Sequence, residues 1–157
     1  MTDAERQDLR FDADADLRQY REAQKNIDHY RDKIERLRAR ANSTTQELSP
    51  NRIFIQHDDA TGEDIILTII DMQHELWDKM FKAESLCLDL EHKISAWTEG
   101  IEARILRSYY LYGQSLKQIA VMEGYSYSQI KRLRGAALEK YGLKLAEYQC
   151  PQKDEPQ

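Results

Sequence analysis

Apolar residues recur at helical spacing along almost the whole chain, and the places where that spacing fails divide it into segments. In the first segment, 1–42, Tyr20, Ile27, Ile34 and Ala41 stand seven residues apart, with Ala23, Tyr30 and Leu37 three positions after the first three. This is the a/d pattern of a short coiled coil, and the positions between are mostly charged. It predicts a helix from about Asp12 to Asn42, roughly 45 Å long at about 1.5 Å per residue. Between 43 and 62 the pattern gives way to Ser, Thr, Pro, Asn and Gly, so this stretch reads as a linker in which Ile53-Phe54-Ile55 forms an apolar run. A second coil, 63–100, carries Leu76, Met80, Ala83, Cys87, Leu90, Ile94 and Trp97 at alternating spacings of four and three, leading on to Ile101. Ile65, Ile70, Trp77, Phe81 and Leu88 widen its stripe, so more surface is offered than one antiparallel hairpin with the first helix would bury. That excess predicts self-association through the Leu76–Ile101 seam.

Beyond the second coil the pattern shortens into two helices separated by a tight turn. Leu116, Ile119 and Ala120 form the apolar side of the first, with Met122 beside them, and Ala120 is small enough for a second helix to cross closely. Gly124 predicts its end, as a glycine in the left-handed conformation. Ser126 predicts the cap of the next helix, whose Ile130, Leu133, Ala137 and Tyr141 share one stripe with Leu138. Ser128, Lys131, Arg132 and Gly135 then lie on the opposite or flanking face, with Tyr127 and Gln129 at the exposed start. A turn, a small crossing residue and a cationic outer face together point to a DNA-binding helix-turn-helix. An ordinary amphipathic helix would also be polar on that face. The candidate DNA-contact set is Tyr127, Ser128, Gln129, Lys131 and Arg132, joined by Lys117 and the cap Ser126.

The stretch LYGQSLKQIAVMEGYSYSQIKRLRGAALEKYG resembles the fourth conserved region of bacterial sigma factors. Tyr110, Gly113, Ser115, Ile119-Ala120, Gly124, Ser126, Ile130 and Ala137-Leu138 carry the likeness, standing where that region has an aromatic, a glycine, a helix start, core residues, a turn and an Ala-Leu pair. It covers roughly Ile101 to Leu145. A coil followed by such a module is similar to small phage-encoded proteins, including the ArpU-type regulators. The resemblance implies a phage or prophage transcriptional regulator in the bacterial cytoplasm that binds double-stranded DNA, with RNA polymerase as a further partner. Carried over by position, Tyr127, Ser128, Lys131 and Arg132 would meet base edges or nearby phosphates. Tyr109 stands where a basic residue is common in that motif, which leaves a backbone contact there without its usual cation.

Composition adjusts this picture without replacing it. Six glycines and three prolines in 157 residues, with 32% charged residues, suit long solvated helices, so the expected class is all-α: a helical hairpin or coiled coil followed by the C-terminal module. The net charge of −5 would argue against nucleic acid if it were evenly spread. It is not: 101–145 holds eight Lys or Arg against three Glu, a local +5 that leaves −10 on the remainder. No long apolar run predicts a membrane span, and the acidic start lacks the form of a signal peptide. Cys87 reads as a small core residue and Cys150 as part of a polar tail over 146–157, expected to be disordered. Single histidines on the helices and the adjacent His57-Asp58-Asp59 make poor metal sites, and no nucleophile and base converge, so neither a cofactor nor an enzyme is expected. Two other functions fit the same residues: a DNA-packaging recognition subunit like a small terminase, and a polymerase-binding protein that does not read DNA.

Overall fold

The computed structural model describes residues 1–47 and 62–150. Every described element is helical: α1 Asp3–Glu47, α2 Gly62–Trp97, α3 Gly100–Leu106 with a π-helical turn over Arg107–Leu111, α4 Leu116–Glu123 and α5 Tyr127–Gln149. The all-α class is thus met. The first helix begins earlier than the heptad residues require and runs on past Asn42. A Thr-x-x-Glu box starts it: the Thr2 hydroxyl accepts from the Glu5 amide at 3.3 Å, and the Glu5 carboxylate accepts from the Thr2 amide at 2.6 Å. Most of the expected linker, with Ile53-Phe54-Ile55 and His57-Asp58-Asp59, lies outside the described residues, as does the end of the expected tail. α5 carries residues 146–149 of that tail as helix.

The chain forms two compact units along lines that its linear order does not suggest. One contains Met1–Glu22 and Leu86–Gln157, the other Ala23–Ser85. Each long helix therefore contributes to both.

In the first unit the start of α1 belongs to the same core as the last helix. Ala13 and Leu17 of α1, Ile94 of α2, Ala103 and Leu106 of α3, and Ala137, Leu138, Tyr141 and Leu145 of α5 form one buried cluster with Tyr110. Fully burying an aliphatic or aromatic side chain of this kind contributes about 1.5–3 kcal/mol, so the cluster is the unit's main source of stability. α1 and α2 run antiparallel here: the Cys87 thiol lies 3.9 Å from the Tyr20 carbonyl, the Tyr20 hydroxyl donates to Glu91 at 2.9 Å, and Lys93 stands 3.8 Å from Asp16. Leu90 and Ile94 are wholly buried within this chain. Their part of the expected self-association seam is an intramolecular one. Trp97, expected as coil packing, instead turns its ring edge to Tyr141 of α5 at 4.9 Å between centroids. α2 ends there because Thr98 turns back, its hydroxyl donating to the Ile94 carbonyl at 2.6 Å, and Gly100 takes a φ of +56° to start α3, which carries Ile101.

Of the glycines in this unit, Gly142 has the tightest surroundings. A Cβ placed there would lie 2.4 Å from the Leu9 carbonyl oxygen and 2.9 Å from its carbon, so α5 meets the backbone of α1 through a missing side chain. The π turn after α3 has a related use. Its wider step, closed by the Tyr112 amide on the Arg107 carbonyl at 3.0 Å, sets Tyr110 inward while Tyr109 packs against the core from a half-buried position. Arg21 of α1 donates to the Tyr109 carbonyl at 2.6 Å.

The second unit is a segment of each long helix. Ala23, Ile27 and Ile34 of α1 and Met80 of α2 are buried, as the heptad spacing predicts, and Ile69 of α2 is buried with them. Arg38 lies 5.8 Å over the Trp77 ring. Of the residues expected to widen the α2 stripe, Ile70, Trp77 and Phe81 are exposed rather than taken into this unit, as is Leu67.

Candidate nucleic-acid interface

Both helices flanking the turn start from the same device. Ser115 caps α4, its hydroxyl accepting from the Gln118 amide at 3.3 Å while the Gln118 side chain accepts from the Ser115 amide at 2.8 Å. Ser126 and Gln129 repeat the arrangement at the start of α5, at 3.2 and 2.9 Å. Each box satisfies two backbone amides that the first turn of a helix would otherwise leave unpaired. Between the boxes, Gly124 adopts φ +71° and its amide donates to the Ala120 carbonyl, with the Tyr125 amide donating to the same oxygen at 3.0 Å. The predicted stop and the predicted cap both stand where the sequence puts them.

A second buried cluster holds this turn against α3. Ile105, Ile119, Ala120 and Ile130 are its core, with Ile101, Leu116, Leu133 and Tyr109 packed around it. Met122, expected beside the core residues, instead points away and is 65% exposed, with Val121 at 83%. The reason is angular. Ile119 and Ala120 face the core, and at about 100° per residue Val121 and Met122 lie roughly 150° and 110° away from the midline between them. Val121 and Met122 line an open hollow of about 410 Å³ with Gln114, Lys117 and Gln118.

Tyr127, Ser128, Lys131 and Arg132 gather on one exposed face of α5, as expected. They line an open hollow of about 450 Å³ together with Gly135 and, from α1, Arg10. Arg10 is the residue that sequence reasoning missed, because it lies more than a hundred positions upstream with nothing in the spacing to connect it. Its guanidinium is held by two hydrogen bonds to Glu139, one of them 2.8 Å long. Gly135 leaves it room: a Cβ there would come within 3.3 Å of the guanidinium carbon. Ser126 and Gln129 have their side chains engaged in the cap, so they orient the helix rather than stand free on its face. Lys117 lies on α4, lining the other hollow.

The local charge is less evenly available than the count of basic residues suggests. Arg104 pairs with Glu123 at 3.0 Å, Lys140 with Glu102 at 2.7 Å, Lys144 with Glu147 at 2.8 Å and Arg134 with Asp14 at 2.7 Å. Arg107 donates to the Ser95 hydroxyl at 2.7 Å. Among the described residues, Lys117, Lys131 and Arg132 have no such carboxylate partner. Within 101–145 they are the cations that no other side chain engages, and so the ones most open to an outside anion.

Arg134 is held the most tightly of these. Its Nη2 donates to Asp14 at 2.7 Å and to the Tyr110 hydroxyl at 2.6 Å, and Tyr110 itself donates to Asp14. The guanidinium lies 4.4 Å over the Tyr109 ring. Tyr109 is thus a platform for Arg134. Burial, with the hydrogen bond to Asp14 added, pushes the Tyr110 hydroxyl well above the ordinary tyrosine pKa. Tyr141, which donates to Asp16 at 2.7 Å, is raised for the same two reasons.

Among the described residues no group of three or more His, Cys, Asp or Glu is placed to hold a metal ion, and no helix is long and apolar enough to cross a membrane. No family model, curated protein or solved structure matches this chain.

Proposed function

We propose that this chain is a sequence-specific DNA-binding transcriptional regulator of the phage or prophage kind, in which α4, the turn and α5 act as a helix-turn-helix. The observation that carries this reading is the selective charge of the α5 face. Lys131 and Arg132 stand exposed without carboxylate partners beside Tyr127 and Ser128, while Arg134, Lys140 and Lys144 farther along the same helix are paired. A helix end fixed by a capping box and a buried Ile130 presents those groups without further ordering, so little entropy is lost when DNA is bound. Arg132 and Lys131 are the base-edge or phosphate contacts, and Tyr127 and Ser128 flank them.

A gel-shift titration tests this, using fragments of the source genome against scrambled duplexes of equal length. Affinity should fall with salt along a log–log slope near −0.9 per phosphate neutralised. With Lys117, Lys131 and Arg132 available, about three phosphates per module are expected, a slope of about −3. Binding that ignores salt, or that the double variant Lys131→Ala/Arg132→Ala leaves unchanged, would sink the proposal. Protection upstream of late genes would favour the regulator, and protection at a packaging site the small-terminase-like alternative.

The exposed pair Val121 and Met122 on α4 supports a second reading, in which that face meets a protein such as RNA polymerase. Polymerase capture that persists without DNA binding, and that Val121→Asp abolishes, would select it. A homo-oligomer presenting two modules would strengthen either function by raising effective concentration.

A further inference from the structure

The α2 residues left exposed in the second unit form an ordered seam. Leu67, Ile70, His74, Trp77, Phe81 and Glu84 alternate three and four positions apart, a heptad stripe separate from the one that buries Ile69 and Met80. All six are exposed, Phe81 at 69% and Leu67 at 60%. Its centre reads alike in both directions: Trp77 and Phe81 are equidistant from Lys79, and so are His74 and Glu84.

We propose that this seam pairs with the same seam of a second copy in antiparallel register, the two-fold axis passing beside Lys79. In that register each Trp77 packs on the Phe81 of the other copy and each His74 faces the other copy's Glu84. By symmetry every contact occurs twice, as an isologous interface requires. A parallel pairing would set Glu84 against Glu84 and His74 against His74, opposing like groups within the seam. The antiparallel register opposes an imidazole and a carboxylate instead, so the polar residues select the direction. The proposal stands independently of DNA binding.

The experiment uses light scattering of the full chain at tens of micromolar. The wild type should have the mass of two 18.5 kDa chains. Phe81→Glu, at a position that contributes little to the packing within one chain, should halve that mass and leave the helical circular dichroism unchanged. His74→Glu sets two carboxylates together and should also give single chains, and adding Glu84→Lys should restore the pair. A wild type of single mass overturns the proposal; if replacing Ile53, Phe54 and Ile55 by Ser then produces dimers, the face belongs to the chain's own segment. A dimer that survives Phe81→Glu places the interface elsewhere, and failure of Glu84→Lys to rescue His74→Glu overturns the register.

Discussion

The two halves of α5 contain the same kinds of residue and have different roles. Before Leu133 the outward side chains Tyr127, Ser128, Lys131 and Arg132 reach no carboxylate, and the inward Ile130 joins a small cluster with α3 and α4. From Arg134 onward the helix is enclosed by α1: Arg134 on Asp14, Tyr141 on Asp16, Gly142 on the Leu9 backbone. A cation is therefore defined by what neutralises it. Arg132 and Arg134 are two positions apart, yet one faces an open hollow and the other is stacked on Tyr109 and bonded to Asp14.

The widest break in this contrast should come from high pH, because Tyr110 and Tyr141 act together. Both have folded pKa values raised above the unfolded value of about 10. Such groups contribute stability that is fully present below about pH 10 and is lost as the pH climbs toward their folded values, since the unfolded chain ionises first. Urea melts at pH 8 and pH 11 should show this loss. Tyr110→Phe/Tyr141→Phe should flatten it, whatever its cost at neutral pH.

Next in size is Asp14→Ala, which leaves Arg134 without its carboxylate. Removing one partner of a buried pair costs about 3–5 kcal/mol. Both side chains here are about one-fifth exposed, so we expect about 2–3 kcal/mol by chemical denaturation. Arg132→Ala should do the reverse, leaving stability within about 0.5 kcal/mol and weakening DNA binding by about 1–3 kcal/mol. If Arg132→Ala melts the fold, or Asp14→Ala leaves it intact, the division between the halves is misdrawn.

The two glycines of α5 give the finest test. Replacing a helical glycine by alanine gains up to about 1 kcal/mol from helix propensity. At Gly135 the new methyl meets the far end of the Arg10 side chain, which can move, so Gly135→Ala should stabilise by about 0.5–1 kcal/mol. At Gly142 it meets backbone at 2.4 Å, which cannot. Gly142→Ala should destabilise by about 1–3 kcal/mol, read as opposite shifts in melting temperature of about 2–4 °C per kcal/mol at this length.

Local features of the sequence were legible because their causes are local. Gly124, Ser126, the Ile130–Tyr141 stripe and the inner heptad positions Ile27, Ile34, Cys87 and Leu90 each report on neighbours within a turn or two. The all-α class followed from them. What spacing could not reveal was which helix covers which: Asp14 and Arg134 meet across 120 positions, and neither differs in type from a solvated residue. The exposed Ile70, Trp77 and Phe81 were legible as apolar but not as exposed, because periodicity identifies a face without naming what lies against it. Arg10 joined the candidate site for the same long-range reason, while Met122 left the core through a matter of helical angle.

The contact between Leu9 and Gly142 has a consequence for how the protein is made. Residues near the start of the chain complete their packing only when the last helix has left the ribosome, since Asp16 waits for Tyr141 across 125 positions. At about 5–20 residues per second that delay is roughly 6–25 s. During it, Ala13 and Leu17 lack their α5 partners, and a nascent chain halted before α5 would leave part of this apolar stripe uncovered for chaperones to find. The same topology means that a fragment starting at Ile101 would be born without Ala13, Leu17 and Ile94 of its main core cluster.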